Sequence, residues 1–359
     1  MKKKFALLIA ALLVLSACTS APPSSSSAPP NGNSSDPPES TVVNVYNWGE
    51  YIDEDMIDLF EQETGITVNY QTFESNEQLY GILSFGGVNY VVIIPSDYMA
   101  SRLIEEDMLE PLNFDNIPNI EKIDPQYLNL EYDPENLYTV PYSWGTTGII
   151  YNSSVITEEV DSWGILFDEQ YSGQILMFDN PRDAMGIALL YLGYNVNTTD
   201  EAELNAAFDL LQEQRPILQA YVMDQIFDKL ESGEAAVGPY YAGDYFTMLE
   251  NNPDLVFCLP KEGSNYFVDV MCIPKGAENK DNAEKFINFM CRTDVALANM
   301  DVTGYSTPSK EAFDSLDDEM KNDPIMFPDE ETLARCQVFK NLPKDVLEMY
   351  DNFWLTLKA

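Results

Sequence analysis

The stretch Asn47-Trp48-Gly49-Glu50-Tyr51 joins two large aromatic faces and a carboxylate at the end of an apolar run, "VVNVY". If that run is a β-strand, these side chains lie at its carboxyl end, where open α/β sheets place their ligands. Aromatic faces attract cations, and carboxylates bind ammonium groups through charge-assisted hydrogen bonds. Trp48, Glu50 and Tyr51 are therefore candidates for holding an organic cation, although Glu50 would also suit the first turn of the following helix.

Two further strand ends carry candidate side chains. In "YFVDV", Asp269 alternates with apolar residues, and an acid in such a strand is expensive to bury unless a cation is its partner. Phe267 lies two residues earlier and therefore faces the same side of the strand. In "IPSDYM", Ser96 and Tyr98 follow an apolar strand, and Asp97 between them either caps the next helix or adds a carboxylate to the site.

The composition of the chain agrees with a cationic ligand. Its 359 residues include 60 acidic and 19 basic ones, which gives a formal net charge of −41. Such a surface attracts cations and repels nucleic acids and anionic lipid headgroups, which argues against a nucleic-acid-binding function. The length is sufficient for two compact lobes, each with its own core.

The residue types also exclude several kinds of chemistry. The chain has no histidine, which excludes histidine-dependent catalysis and makes a zinc site improbable. It has no phosphate-binding glycine motif, so we expect no nucleotide and no other cofactor. Apart from Cys18, the cysteines are Cys258, Cys272, Cys291 and Cys336. They form no CxxC pair, and three disulfide pairings or free thiols remain open.

The amino-terminal residues have the pattern of a targeting segment. "MKKKFALLIAALLVLSAC" has a basic start, a short apolar run and small residues before Cys18, which resembles a bacterial lipoprotein signal. Cleavage after residue 17 would leave Cys18 as the lipidated amino terminus on the extracytoplasmic side. A signal peptide without lipidation and an uncleaved anchor are the alternatives. Residues 18–41, rich in Ser and Pro, predict an extended tether, so the folded part should begin near Val42.

Strand and helix patterns alternate from Val42 onwards. "VVNVYNW" predicts a strand, and the next segment predicts a helix with Asp53 as its N-cap and Gly65 at its end. "ITVNYQTF" predicts a second strand, residues 77–83 a short helix, and "NYVVIIPS" a buried third strand. Such a βαβαβ series predicts a parallel sheet.

A second series of the same kind follows "YSWGTTGIIYN". "GQILMFDN" predicts a strand, followed by a helix that ends at Gly193 and another that begins after Asp200. "DQIFDKLESG" and "EAAVGPYYAGD" then predict a helix and a strand, and "YFVDVMCIP" a strand before a further helix. The chain is therefore expected to form two α/β lobes.

Seven sequence blocks together resemble a known family. They are "NWGEY", "FESNEQLY", "IPSDYM", "VPYSWGTTGI", "FDNPRD", "VDVMCIPKGAENK" and "TGYSTP", in this order between about Val42 and Tyr350. The sequence resembles the bacterial spermidine/putrescine-binding proteins, which are extracytoplasmic receptors of polyamine ABC transporters. The resemblance implies an α/β, two-lobed type II periplasmic-binding fold with a hinge, in which the lobes close over the ligand. Lobe one would comprise 42–143 and 270–315, and lobe two 144–269 and 316–359.

The resemblance also extends the set of candidate ligand-binding residues. It adds Asn180, Asp183, Tyr241, Asp244 and Tyr305, and it supports ligand-binding roles for Trp48, Tyr51, Ser96, Tyr98, Phe267 and Asp269. Asp183 and Asp244 would also suit helix caps. This chain has Asn180 where the family has an acid, Tyr241 and Phe267 where it has Trp, and Phe339 near its carboxy-terminal Gln. These departures could favour putrescine over spermidine, and Asp244 could supply the charge that Asn180 lacks.

The expected function is a monomeric receptor, without metal or catalytic activity, that hands a polyamine to a membrane permease. A second possibility keeps the fold and changes the ligand to a sugar, a thiamine-like cation or an iron complex. A third is a glycoside hydrolase that depends on two carboxylates. A surface adhesin is the fourth.

Overall fold

The computed structural model describes residues 41–359 of the chain. The predicted signal peptide, Cys18 and nearly all of the predicted tether lie outside these residues. Within the described part, no helix is both long enough and apolar enough to cross a membrane.

The first sheet contains three strands in the order β2-β1-β3. They are β1 (Val42–Trp48), β2 (Thr67–Phe73) and β3 (Val92–Ile93). Both neighbours pair with β1 in parallel, which confirms the predicted βαβαβ arrangement. The third strand is shorter than predicted, although Ile94 still donates its N–H to the carbonyl of Tyr46 beyond the regular pairing.

The second sheet has the order β6-β5-β7-β4-β8, and a further strand, β9, also pairs with β4. The strands are β4 (Val140–Asn152), β5 (Ile175–Phe178), β6 (Leu218–Val222), β7 (Val237–Tyr241), β8 (Leu255–Cys258) and β9 (Tyr266–Met271). β5 pairs with β6 and β7 in parallel, whereas β4 is antiparallel to its neighbours. The sequence patterns predicted β5, β7 and β9 but not β6 and β8.

Helices flank these strands along the chain. In order they are α1 (Glu54–Thr64), α2 (Asn76–Phe85), α3 (Asp97–Glu105), α4 (Pro181–Tyr191), α5 (Glu201–Gln214), α6 (Gln225–Glu231), α7 (Ala242–Asn251), α8 (Lys280–Met290), α9 (Thr293–Thr303), α10 (Lys310–Ser315), α11 (Asp318–Lys321), α12 (Glu330–Leu333) and α13 (Lys344–Lys358). Asp53 and Asp200 cap α1 and α5 as predicted, and Gly65 ends α1 with a φ of 69°. Glycine adopts this left-handed conformation without steric cost.

Two separate hydrophobic cores accompany the two sheets. Strand β4 contributes to both, since Val140 and Trp144 lie in the core of the first sheet, while Ile149 and Ile150 lie in the core of the second. Strand β9 runs antiparallel to the first half of β4, and the residue that follows it, Cys272, bridges to Ile93 at the end of β3. The chain therefore has a two-lobed α/β architecture, with β4 and β9 running where the lobes join.

The cysteines outside the amino-terminal segment are all free thiols. Cys272 and Cys291 are buried, and Cys258 and Cys336 are half-buried. Of the possibilities left open by the sequence, the structure therefore has free thiols and none of the disulfide pairings.

Candidate ligand-binding site

A cavity with about 600 Å³ of empty space, part of it open to solvent, is lined by residues of both cores. A third, small aromatic cluster of Tyr51, Phe267 and Tyr305 also contributes to its wall. The lining comes from the carboxyl ends of β1 and β7 and from β9, which is the position that open α/β sheets use for ligands.

Most of the side chains predicted from the sequence line this one cavity. They are Trp48, Tyr51, Ser96, Tyr98, Asp183, Tyr241, Asp244, Phe267, Asp269 and Tyr305. They come from strand ends and helix starts that are far apart in the sequence. The structure therefore brings the predicted rings and acids together, as a site for an organic cation requires.

Each aspartate of the cavity lining accepts a hydrogen bond from a tyrosine hydroxyl. The pairs are Tyr51 with Asp269 (2.6 Å), Tyr305 with Asp244 (2.8 Å), Tyr240 with Asp224 (3.0 Å) and Tyr241 with Asp183 (3.1 Å). Tyrosine is a neutral donor, so it satisfies one lone pair without neutralising the carboxylate. The rings remain available as flat walls.

The lining described here contains no lysine or arginine. The buried Arg182 lies in the first turn of α4, but its guanidinium donates to the carbonyl of Val196 and the hydroxyl of Tyr350. Its positive charge still acts to lower the pKa of the neighbouring Asp183, but no cationic side chain lies among the acids of the lining. A ligand with ammonium groups would supply the missing positive charge.

Asp269 is the most informative of these acids. It is 3% exposed, and while its Oδ2 accepts from Tyr51, its Oδ1 has no hydrogen-bond partner. Burial raises the pKa of Asp269 to about 6, although the nearby hydroxyls of Ser96 and Tyr51 favour the ionised form. An unpaired buried carboxylate oxygen is costly, and a cationic donor in the cavity would remove that cost.

Asn180 positions Asp183 but does not line the cavity itself. Its Oδ1 accepts the backbone N–H of Asp183, so Asn180 is the N-cap of α4, and its Nδ2 donates to Oδ2 of Asp183 at 2.8 Å. The alternative role of Asp183 as the cap is therefore wrong. Burial raises the pKa of Asp183, which the bonds from Asn180 and Tyr241 partly offset.

Asp97 and Glu50 also lie outside the cavity lining. The two oxygens of Asp97 accept the backbone N–H groups of Tyr98 and Val268, and burial raises its pKa to about 8. Its carboxylate is therefore occupied by one backbone N–H of α3 and one of β9, and Ser96 holds the cap position of α3. Glu50 is exposed in a turn with a φ of 46° before α1, so it is not in the first turn of that helix.

Asp244 faces the cavity rather than capping a helix. α7 begins two residues earlier at Ala242, which places Asp244 within its first turn. Burial holds the pKa of Asp244 well above its ordinary value, and the bond from Tyr305 acts in the opposite direction. The neighbouring Gly243 is required, because a Cβ there would come within 2.2 Å of the Tyr305 ring.

Comparison with known proteins identifies the family. Residues 55–328 match the family described as bacterial extracellular solute-binding protein. This chain belongs to that family.

Three proteins similar to this solute-binding protein have names that refer to polyamines or to a polyamine-binding relative. The spermidine/putrescine-binding periplasmic protein of Salmonella typhimurium is 35% identical, over 89% of this chain and 92% of the relative. A solved spermidine/putrescine ABC transporter protein of Listeria monocytogenes is 41% identical with a TM-score of 0.85, covering 89% and 99%. The solved TpPotD lipoprotein of Treponema pallidum is 30% identical with a TM-score of 0.79, covering 88% and 99%. The resemblance stated from the sequence blocks is therefore confirmed.

The sequence missed several residues that line the cavity of this solute-binding protein. They are Gly49, Glu74, Asn76, Met223, Asp224, Tyr240, Asn265 and Phe339. Strand alternation could have found Asn265, since it precedes Phe267 and Asp269 by the same two-residue steps. Phe339, for which the resemblance implied a lost contact, forms part of the wall. We find no local sequence signal that marks Asp224 or Glu74.

The mouth of the cavity is acidic. Glu74 and Asp224 line it and are both exposed. A Cβ at Gly49 would lie 2.7 Å from Oδ2 of Asp224, so a larger residue there would require the exposed Asp224 carboxylate to shift. An exposed acidic mouth attracts cations from solution and raises their association rate.

Proposed function

We propose that this chain is an extracytoplasmic receptor that binds a polyamine, putrescine and/or spermidine, in the cavity and delivers it to an ABC permease. The observation that carries the proposal is the set of tyrosine-paired aspartates without a cationic side chain in the lining. The role is binding rather than catalysis, and the relatives above are likewise named as binding or transport proteins.

A polyamine fits this lining because it combines several ammonium groups with apolar methylenes. Each charge-assisted hydrogen bond contributes about 1.5–3 kcal/mol, and each cation–π contact about 0.5–2 kcal/mol. Two carboxylates and three or four rings thus suffice for micromolar binding, which corresponds to about 8 kcal/mol. Asp269 and Asp183 would hold ammonium groups, and Trp48, Tyr241 and Tyr305 would cover the methylenes.

Other solutes fit the described residues less well. An iron complex would need metal ligands, and the described residues contain no cluster of His, Cys, Asp and Glu side chains suited to a metal. A sugar has no positive charge to offset the acids of this lining. A thiamine-like cation carries fewer separated positive charges than a polyamine, so it would offset fewer of the acids in this lining.

Calorimetric titration of residues 41–359 with putrescine, spermidine, thiamine and maltose tests the proposal. We expect micromolar or tighter binding of at least one polyamine and no measurable binding of maltose. Tighter binding of thiamine or maltose than of either polyamine would overturn the assignment of the ligand.

We further propose that the two lobes close over the ligand about β4 and β9. Lobe one would comprise 42–143 and 270–315, and lobe two 144–269 and 316–359. The bond between Tyr305 and Asp244 supports this division, because it joins the two proposed lobes across the cavity. Hinge closure of this kind is common in proteins that enclose their ligands.

Closure predicts a smaller radius of gyration when the polyamine binds. Small-angle X-ray scattering of residues 41–359 should show a decrease on adding saturating spermidine, and none on adding maltose. An unchanged radius despite calorimetrically verified saturation would contradict the hinge, though not the binding site.

The amino-terminal segment would hold this receptor at the membrane. We propose that Cys18 is lipidated after cleavage of residues 1–17 and that residues 18–41 tether the domain, which would act as a monomer. The sequence "LSAC" supports this, and the similar Treponema pallidum protein is named as a lipoprotein. Mass spectrometry of the membrane-extracted protein should find the lipid on Cys18, and Cys18→Ala should release the chain from the membrane.

A further inference from the structure

Asn265 is a buried side chain of the cavity that the sequence did not single out. It is 7% exposed, it lines the cavity, and its Oδ1 has no hydrogen-bond partner. Its backbone is well held, since the carbonyl of Asn265 accepts the N–H of Thr147 and the residue bridges to Gln337. Because the backbone of Asn265 is fixed and its side-chain oxygen has no partner, we infer that this oxygen accepts a hydrogen bond from the bound ligand.

The position of Asn265 relative to Asp269 follows from strand geometry. Asn265, Phe267 and Asp269 are spaced by two residues at and within β9, and all three line the cavity. A strand rises about 3.3 Å per residue, so Asn265 and Asp269 lie about 13 Å apart along it, with the Phe267 ring between them. One strand thus presents two unpaired acceptor oxygens separated by an aromatic wall.

Polyamines of different length would use these two acceptors differently. Five bonds of about 1.5 Å separate the nitrogens of a four-carbon diamine, so its extended span is roughly 6 Å. Nine such bonds separate the ends of a triamine with four- and three-carbon spacers, so its span is roughly 11 Å. Only the triamine is long enough to reach from Asp269 past Phe267 to Asn265.

We propose that Asn265 accepts a hydrogen bond from one ammonium group of a triamine and thereby makes this site selective for a triamine over a diamine. This inference rests on the proposed polyamine function and adds the ligand length to it. Phe339 in the same lining is apolar and lies two residues after Gln337, which bridges to Asn265, so of Asn265 and Phe339 only Asn265 offers a polar side chain. The departures noted in the sequence had favoured the diamine.

The test compares spermidine and putrescine in Asn265 variants of residues 41–359 by calorimetry. In Asn265→Leu, which keeps the branched shape of the side chain without its polar atoms, we expect spermidine affinity to fall about 10- to 100-fold, as for loss of a hydrogen bond to a charged group. Putrescine affinity should change less than about threefold, because the diamine does not reach this residue. Asn265→Asp keeps the acceptor oxygen and should retain spermidine binding.

Asn152→Ala provides the matched control, because Asn152 is also a buried asparagine at an end of the β4 sheet and its side chain bonds only Ser154. It should leave the ratio of the two affinities unchanged. Equal losses of affinity for both ligands in Asn265→Leu, or unchanged spermidine affinity in folded Asn265→Leu, would overturn the role of Asn265. If the unaltered protein binds neither amine, the proposed function fails instead.

Discussion

Replacing Asp269 by Asn is expected to lower the affinity for the polyamine by roughly a hundredfold. The substitution removes the charge of a carboxylate that is 3% exposed and has an unpaired oxygen. Removing one partner of a buried, hydrogen-bonded charge pair costs about 3 kcal/mol, which corresponds to roughly two orders of magnitude in the dissociation constant. The volume of the side chain is nearly unchanged, so the walls formed by Tyr51 and Phe267 should stay in place.

Calorimetry with spermidine measures this effect, and Asp133→Asn is the matched control. Asp133 is equally buried, but its carboxylate accepts from the backbone of Leu137, Tyr138 and Thr139, away from the cavity. Its replacement should reduce stability and leave the affinity within about twofold. Unchanged affinity in folded Asp269→Asn would count decisively against this site.

The second large effect is a loss of affinity at acidic pH. Because the pKa of Asp269 in the ligand-free protein is raised to about 6, its carboxyl is ionised at pH 8 and mostly protonated at pH 5. A cationic ligand binds the ionised form, so affinity should fall by up to about tenfold for each pH unit below 6. The raised pKa values of Asp183 and Asp244 act in the same direction.

The stability of the ligand-free protein should depend on pH in the opposite sense. A carboxyl whose pKa is raised on folding stabilises the folded state below its unfolded pKa, and this contribution is lost as pH rises through the folded value. For Asp269 and Asp97, the loss therefore occurs between about pH 4 and pH 8.

Thermal unfolding with and without spermidine between pH 5 and pH 8 measures both effects together. The increase in Tm caused by spermidine should grow with pH, since the ligand replaces the missing positive charge. Asp269→Asn serves as the comparison, because much of this pH dependence should disappear with that carboxyl. An equal increase at pH 5 and pH 8 in the unaltered protein would contradict the role of the carboxylates.

Strand periodicity predicted the part of the site that lies on β9 and at the end of β1. The alternation that marked Asp269 and Phe267 depends only on the local backbone, because successive side chains of a strand point to opposite faces. The same reasoning applied one step earlier would have included Asn265. The residue type alone could not have marked Asn265 as a cavity residue, because an asparagine next to a strand usually belongs to a turn.

Periodicity could not separate the acids that face the cavity from those that bind the backbone. Asp97 and Asp269 both follow apolar runs, yet Asp97 accepts the N–H of Val268, which is 171 positions away in the sequence. The partner of Asp269 is Tyr51, at a separation of 218 positions. Such partners depend on how β9 packs against the first sheet, which no local pattern contains.

The sequence by itself determined the excess of acids, the absence of histidine, the α/β elements and the aromatic and acidic residues at strand ends. These features depend on composition and on backbone periods of two or 3.6 residues. Only the tertiary structure decided which carboxylates face the cavity, which tyrosine satisfies each of them, and that no basic side chain lines the cavity with them. The reason is that hydrogen bonding and desolvation depend on contacts between segments that are distant in the sequence and meet only after β4 and β9 have joined the two cores.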